Sequence, residues 1–190
     1  MVEPLSPLKK QCVGGRHGTE GDAGVTLGTF TIESLWQIAG WDGFENAAAS
    51  ALKSLGLGGL GNYRQSQSAG TVTSFRIAPD KLLLKGCGDL SARTTPDLMV
   101  LDLSHARTAI TLEGPTARDL LAQVIPVDTS AHAFGLGEFL QTGIHQVGVL
   151  IHCTGDNSFE ILVPCTWAVS VWEVLVENAY PHGLTVRGAA

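Results

Sequence analysis

Arg107-Thr108-Ala109-Ile110-Thr111-Leu112-Glu113-Gly114-Pro115-Thr116-Ala117-Arg118-Asp119-Leu120-Leu121-Ala122-Gln123-Val124 changes character in mid-course. Residues 107–113 read as a strand. Gly114-Pro115 then opens a helix, with proline at its first position and Ala117, Leu120, Leu121 and Val124 turned inward, and Pro126 stops it. Upstream, residues 98–103 form another strand; downstream, 137–142, 147–153 and 159–163 alternate like strands, with Gly155-Asp156-Asn157 supplying turn chemistry. A closing helix at about 167–178 carries Ala168, Val171, Trp172 and Leu175 on its apolar face.

The first half repeats this order. Phe30, Ile32, Trp36 and Ile38 fall on one face of an alternating stretch that begins at Thr29. Asp42 followed by Glu45 has capping-box spacing, and Phe44, Ala47, Ala48, Ala51, Leu52 and Leu55 form one helical stripe over about 43–55. Strands at 72–77 and 81–85 follow, joined by Ala78-Pro79-Asp80, where proline presets a tight turn. Two βαββ-like halves, 27–96 and 97–190, therefore predict one compact, internally duplicated α+β unit, its antiparallel sheets covered by helices on one side.

Residues 1–26 show no apolar period and are rich in Gly, Pro and polar groups, which predicts an extended arm. Gly14-Gly15, Gly18 and Gly21 enlarge the entropy lost on ordering it. Leu5, Pro7 and Leu8 are its candidate interface residues, because a proline-stiffened segment loses less entropy when its leucines enter a partner's groove. The arm is accordingly expected to become ordered only against another subunit.

Composition narrows the function classes. Charged residues are 16% of the 190, well below the roughly 25% of an average soluble domain, and mean hydropathy is +0.18. Such a surface is sparse in charge for a free monomer and suits one covered by partners. The net charge of −6, with twelve scattered Lys and Arg, argues against nucleic acid. Met1-Val2-Glu3-Pro4 lacks the basic start of a secretory signal, and no apolar run approaches the ~18 residues of a membrane span, so a cytoplasmic protein is expected. Cys12, Cys87, Cys153 and Cys165 form no C-x-x-C pair, and no two histidines stand four apart on a helix, so a metal site is not indicated.

Apparent motifs fare poorly on context. Gly56-Leu57-Gly58-Gly59-Leu60-Gly61 matches G-x-G-x-x-G, but follows a helix where a dinucleotide fingerprint follows a strand, and reads as a helix C-cap running into a loop. Ser104-His105 and His152-Cys153 are neighbours on strands, so their side chains point to opposite faces and cannot pair.

The run Asp102-Leu103-Ser104-His105-Ala106-Arg107, with Ile110-Thr111-Leu112-Glu113-Gly114-Pro115-Thr116-Ala117-Arg118-Asp119-Leu120-Leu121, resembles the gamma subunit of heterotetrameric sarcosine oxidase. Pro126-Val127-Asp128, Phe134-Gly135-Leu136-Gly137, Phe159-Glu160-Ile161-Leu162-Val163-Pro164 and, earlier, Ile77-Ala78-Pro79-Asp80-Lys81-Leu82-Leu83-Leu84 continue the likeness. The resemblance implies an aminomethyltransferase-like, folate-binding fold and alpha, beta and delta partner subunits. It implies FAD, FMN, NAD and tetrahydrofolate in those partners, and neither a cofactor nor a catalytic residue in this chain. Folate-using relatives carry an acid beside the second-half hairpin; the comparable stretch here, Val147-Gly148-Val149-Leu150-Ile151-His152, has no carboxylate. Four assignments remain open on sequence: this subunit, one from a related complex acting on dimethylglycine or N-methylglutamate, a free-standing folate-dependent transferase or iron-sulfur assembly protein, and a stand-alone binding module with no redox partners.

Overall fold

The computed structural model describes residues 6–18 and 23–188. Among them the strands are β1 (Gly15–His17), β2 (Val25–Phe30), β3 (Leu35–Ala39), β4 (Gln67–Ala69), β5 (Val72–Ala78), β6 (Lys81–Lys85), β7 (Met99–Asp102), β8 (Arg107–Glu113), β9 (Phe139–Ile144), β10 (Val147–Gly155), β11 (Ser158–Pro164) and β12 (Leu184–Val186). The α-helices are α1 (Phe44–Ser54), α2 (Ala117–Val124) and α3 (Ala168–Ala179). The α+β class and the βαββ order of both halves are as the sequence indicates.

The dividing lines are not. One compact unit is Ile32–His105; the other joins the described residues up to Thr31 with those from Ala106 onward. The alternation over 29–38 belongs to two strands in two different sheets, because the chain stops pairing between Phe30 and Leu35. There the hydroxyl of Ser34 donates to the carbonyl of Cys87, and the amide of Leu35 donates to Ser104 Oγ at 3.0 Å, re-anchoring the strand on new neighbours. Periodicity reports which face is buried and is silent on which strand lies alongside.

The larger unit holds a sheet in the order β1-β12-β2-β8-β11-β10-β9. Its pairings are antiparallel except β12 with β2, where Thr185 stands beside Thr26, so the sheet is mixed rather than purely antiparallel. One face presents Leu27, Ile110, Leu112, Ile151, Phe159, Ile161 and Val163 to Leu120 and Leu121 of α2 and Val171, Trp172 and Leu175 of α3, all buried. Each such side chain contributes about 1.5–3 kcal/mol over its exposed state. α2 starts two residues later than its proline suggests: Thr116 is its N-cap and Pro115 sits in the preceding turn, closed by Ala117 N–H donating to Gly114 O at 3.0 Å. Ile125, forced out of helical conformation by Pro126, ends it with φ −127° and ψ 145°.

The arm is corrected too. Leu8 is completely buried in this unit's own core, Cys12 Sγ donates to Arg187 O at 2.9 Å, and β1 pairs with β12. Leu8 therefore fills its own chain's core and is not free for a partner; Pro7 is half-buried, and Leu5 lies outside the described residues. The sequence showed isolated leucines, and isolation along the chain did not prevent burial in space.

The smaller unit has the sheet order β4-β5-β6-β3-β7, with α1 packed on Ile38, Leu82, Leu84 and Leu98 through Phe44, Ala48 and Leu52. The capping box does not form: Gly43 is the N-cap without a side-chain bond, and Glu45 instead reaches Arg76 at 3.0 Å. At the other end Leu57 N–H donates to Leu52 O at 3.0 Å and Gly56 N–H to Lys53 O at 3.1 Å, a Schellman motif. Gly56 takes φ +80° there, so the glycine run is a helix cap, as its context indicated. Among the described residues no helix is long and apolar enough to cross a membrane.

Candidate functional site

The stretch that bears most directly on folate chemistry lies on β10, after the two-residue turn His145-Gln146 that joins it to β9. Both turn residues have positive φ, +47° and +68°, as a type I′ hairpin demands and as non-glycine residues resist. A cavity of about 580 Å³ opens beside them, lined by His145, Gln146, Val147, Gly148, Pro164 and Trp167. That lining has an imidazole, an amide and apolar surface, but no carboxylate and no nucleophile.

Further along β10, Val149, Ile151 and Cys153 enter the core, while His152 points to the opposite face and faces Glu160 on β11, 3.8 Å from ring nitrogen to carboxylate. Glu160 is the nearest acid in strand register, yet only 6% of it is exposed and it is directed at His152. The residues at this stretch therefore do not fit a pterin, whose ring nitrogens need an accessible acceptor and whose developing cation needs a carboxylate.

Neither nucleophile–histidine neighbour pair forms a reactive dyad. Cys153 Sγ donates to Gly155 O at 3.2 Å on the face opposite His152. Burial pushes its thiol upward, outweighing the nearby Arg118 cation, so it stays protonated and unreactive at neutral pH. Ser104 Oγ donates to Asp102 Oδ1 at 2.6 Å while accepting from Leu35 N–H, so its proton is turned toward a carboxylate and not toward His105. Two hydrogen bonds from Ser104, through its side chain first and its backbone second, hold the Asp102 carboxyl below the usual range.

That serine belongs to a second cavity, about 530 Å³, lined among others by Glu33, Cys87, Asp89, Asp102 and His105. Desolvation raises the Cys87 thiol, which removes the one strong nucleophile there. Among the described residues no group of three or more His, Cys, Asp or Glu side chains is placed to hold a metal ion.

One organising residue escaped the sequence reading. Arg118, in the first turn of α2, donates to the carbonyls of Asp156 (2.8 Å), Thr129 (2.6 Å) and Phe134 (2.9 Å). It ties the helix to the 128–135 loop and to the β10–β11 turn. The available signal was its position: a cation at a helix N-terminus opposes the helix dipole and needs another reason to be there.

The GCVT N-terminal domain family model matches residues 85–190. The sarcosine oxidase subunit gamma of Corynebacterium sp. (strain U-96) is 30% identical over 158 residues, covering 75% of this chain and 73% of that one. Among solved structures, a chain of the heterotetrameric sarcosine oxidase from Corynebacterium sp. U-96, in complex with pyrrole 2-carboxylate, superposes with a TM-score of 0.78 at 21% identity, covering 98% of this chain and 97% of that chain. The glycine cleavage system aminomethyltransferase T from Bartonella henselae shares the fold, with a TM-score of 0.58 at 18% identity over 94% of this chain and 57% of that one. The chain belongs to the family of sarcosine oxidase gamma subunits, built on the GCVT N-terminal domain fold.

Proposed function

We propose that the chain is a non-catalytic structural subunit of a heterotetrameric sarcosine oxidase, a cytoplasmic complex that oxidatively demethylates sarcosine and passes the one-carbon unit to tetrahydrofolate. Its partners are the alpha, beta and delta subunits, which hold FAD, FMN, NAD and tetrahydrofolate; this chain holds none of them. The observation that carries the reading is the 30% identity to a sarcosine oxidase subunit gamma over 75% of this chain and 73% of that one, on a fold that superposes with one chain of a heterotetrameric sarcosine oxidase. The β10 stretch supports the division of labour, since it offers no accessible carboxylate to a folate.

The folate half of the proposal is tested by calorimetric titration of the purified chain with tetrahydrofolate. Binding weaker than about 1 mM is expected. A dissociation constant near 1 μM would instead assign the chain a folate site of its own and favour a transferase.

A further inference from the structure

Four arginines are half-buried among the described residues: Arg76, Arg93, Arg107 and Arg118. Arg76 bonds Glu45 and the carbonyls of Gly61 and Pro79, Arg93 bonds Ser54, and Arg118 bonds three carbonyls. Arg107, at the start of β8, has neither a hydrogen bond nor an ion pair among the described residues. Desolvation lowers its pKa, and only Cys165 acts against that shift. A guanidinium drawn partly out of water without a counter-charge is costly, and its planar fork of donors matches a carboxylate.

Strand register sets this cation close to the cavity at the β9–β10 turn, within the same larger unit. Arg107 pairs with Pro164, so both side chains stand on one face of the sheet. The Leu150–Leu162 register, carried two places along, sets Gly148 on the other side of Pro164. Pro164 and Gly148 line the cavity of about 580 Å³, and Val147 and Trp167, 54% exposed, extend its apolar wall. A Cβ at Gly148 would meet nothing within 4 Å, so the cavity is bare there. No Lys, Arg, Asp or Glu lines it. Arg107 and Gly148 lie two strands apart, about 10 Å, which is the span of three extended residues.

We infer that Arg107 and this cavity dock an extended segment of a partner subunit, with an Asp or Glu carboxylate on the guanidinium and an apolar side chain about three residues away in the cavity. The inference rests on the reading of the chain as a subunit. His145 and Gln146, at the cavity's rim, offer an imidazole and an amide to the segment's main chain. A free phosphate is a poorer occupant, because a single cation beside an apolar wall gives it one counter-charge and little else. A second copy of this chain is poorer as well, since each copy carries a net charge of −6.

The test sets assembly against the stability of the free chain. Because Arg107 has no partner within the chain, Arg107→Gln should leave the urea midpoint of the free chain unchanged or raise it. The same variant should weaken binding to the flavin-bearing partners by about tenfold or more, and Arg107→Lys should recover part of that loss. Gly148→Leu, which enters open space, should weaken binding by about tenfold while the chain keeps its fold. Near-normal binding by both Arg107→Gln and Gly148→Leu would overturn the inference and leave the subunit reading intact. A lowered urea midpoint in Arg107→Gln would also overturn it, since the arginine would then serve the fold of its own chain. Stabilisation of the wild type, but not of Arg107→Gln, by inorganic phosphate at about 1 mM would name a free anion as the occupant. Self-association of the free chain that Arg107→Gln abolishes would name a second copy, and either result contradicts the docking of a partner. A wild-type chain that binds no flavin-bearing partner would contradict the subunit reading, and this inference with it.

Discussion

The guanidinium of Arg118 lies 5.1 Å above the centre of the Phe159 ring, while its nitrogens donate to three main-chain carbonyls. One side chain thus joins α2, the 128–135 loop and β11. Arg118→Ala leaves those acceptors without their donor and removes the cation from the ring face, which should cost about 3 kcal/mol. Arg118→Lys keeps the charge but not the planar fork, and should recover less than half of that loss. Urea unfolding of the two variants measures both values.

Leu8 makes the second prediction. It is wholly buried in the core of the larger unit, so Leu8→Ala should destabilise by about 2–4 kcal/mol. Removing residues 1–12 should lower the melting temperature by several degrees, since Leu8 and Cys12 both leave the core. An unchanged melting temperature would show that the segment is dispensable to the fold.

The His145-Gln146 turn is built from residues that resist its backbone geometry. Replacing the pair with Asn-Gly, which adopts positive φ readily, should stabilise the chain by about 1 kcal/mol. The gain should appear as a higher denaturant midpoint with an unchanged slope.

Asp102 provides a pH signature. Its carboxyl is held low by Ser104, so the folded state is favoured above the ordinary carboxylate range, and this contribution fades as pH falls through the depressed value. Ser104→Ala should raise the Asp102 titration toward the ordinary carboxylate range, read by NMR on the side-chain carboxyl. Because the group is largely exposed, the accompanying loss of stability is small, and the shift in titration is the decisive readout.

Much of the fold was legible because its elements are locally signalled. Pro126 ends α2, Gly56 caps α1, and the 147–163 hairpin shows its alternation and its turn residues in sequence. What was not legible depends on contacts between distant segments. β12 is three residues long and gains its meaning only beside β1 and β2. The arm's ordering depends on Cys12 reaching Arg187 and on β1 meeting β12, at the far end of the chain, and Glu45 prefers Arg76 to the capping role that its spacing offered. In the candidate site, the missing carboxylate on β10 could be read from sequence. That Glu160 faces His152 across the ladder could not, because it follows from register.

The proposed role gives this chain no chemistry of its own and leaves the oxidation to flavin-bearing partners. The most direct measurement compares the purified chain with the complex recovered through it, by visible absorbance and by sarcosine-dependent oxygen consumption. The chain alone should be colourless and inactive, while the complex should contain it in equal stoichiometry with its partners, show flavin absorbance and oxidise sarcosine. Stoichiometric flavin or sarcosine turnover in the isolated chain would contradict the account.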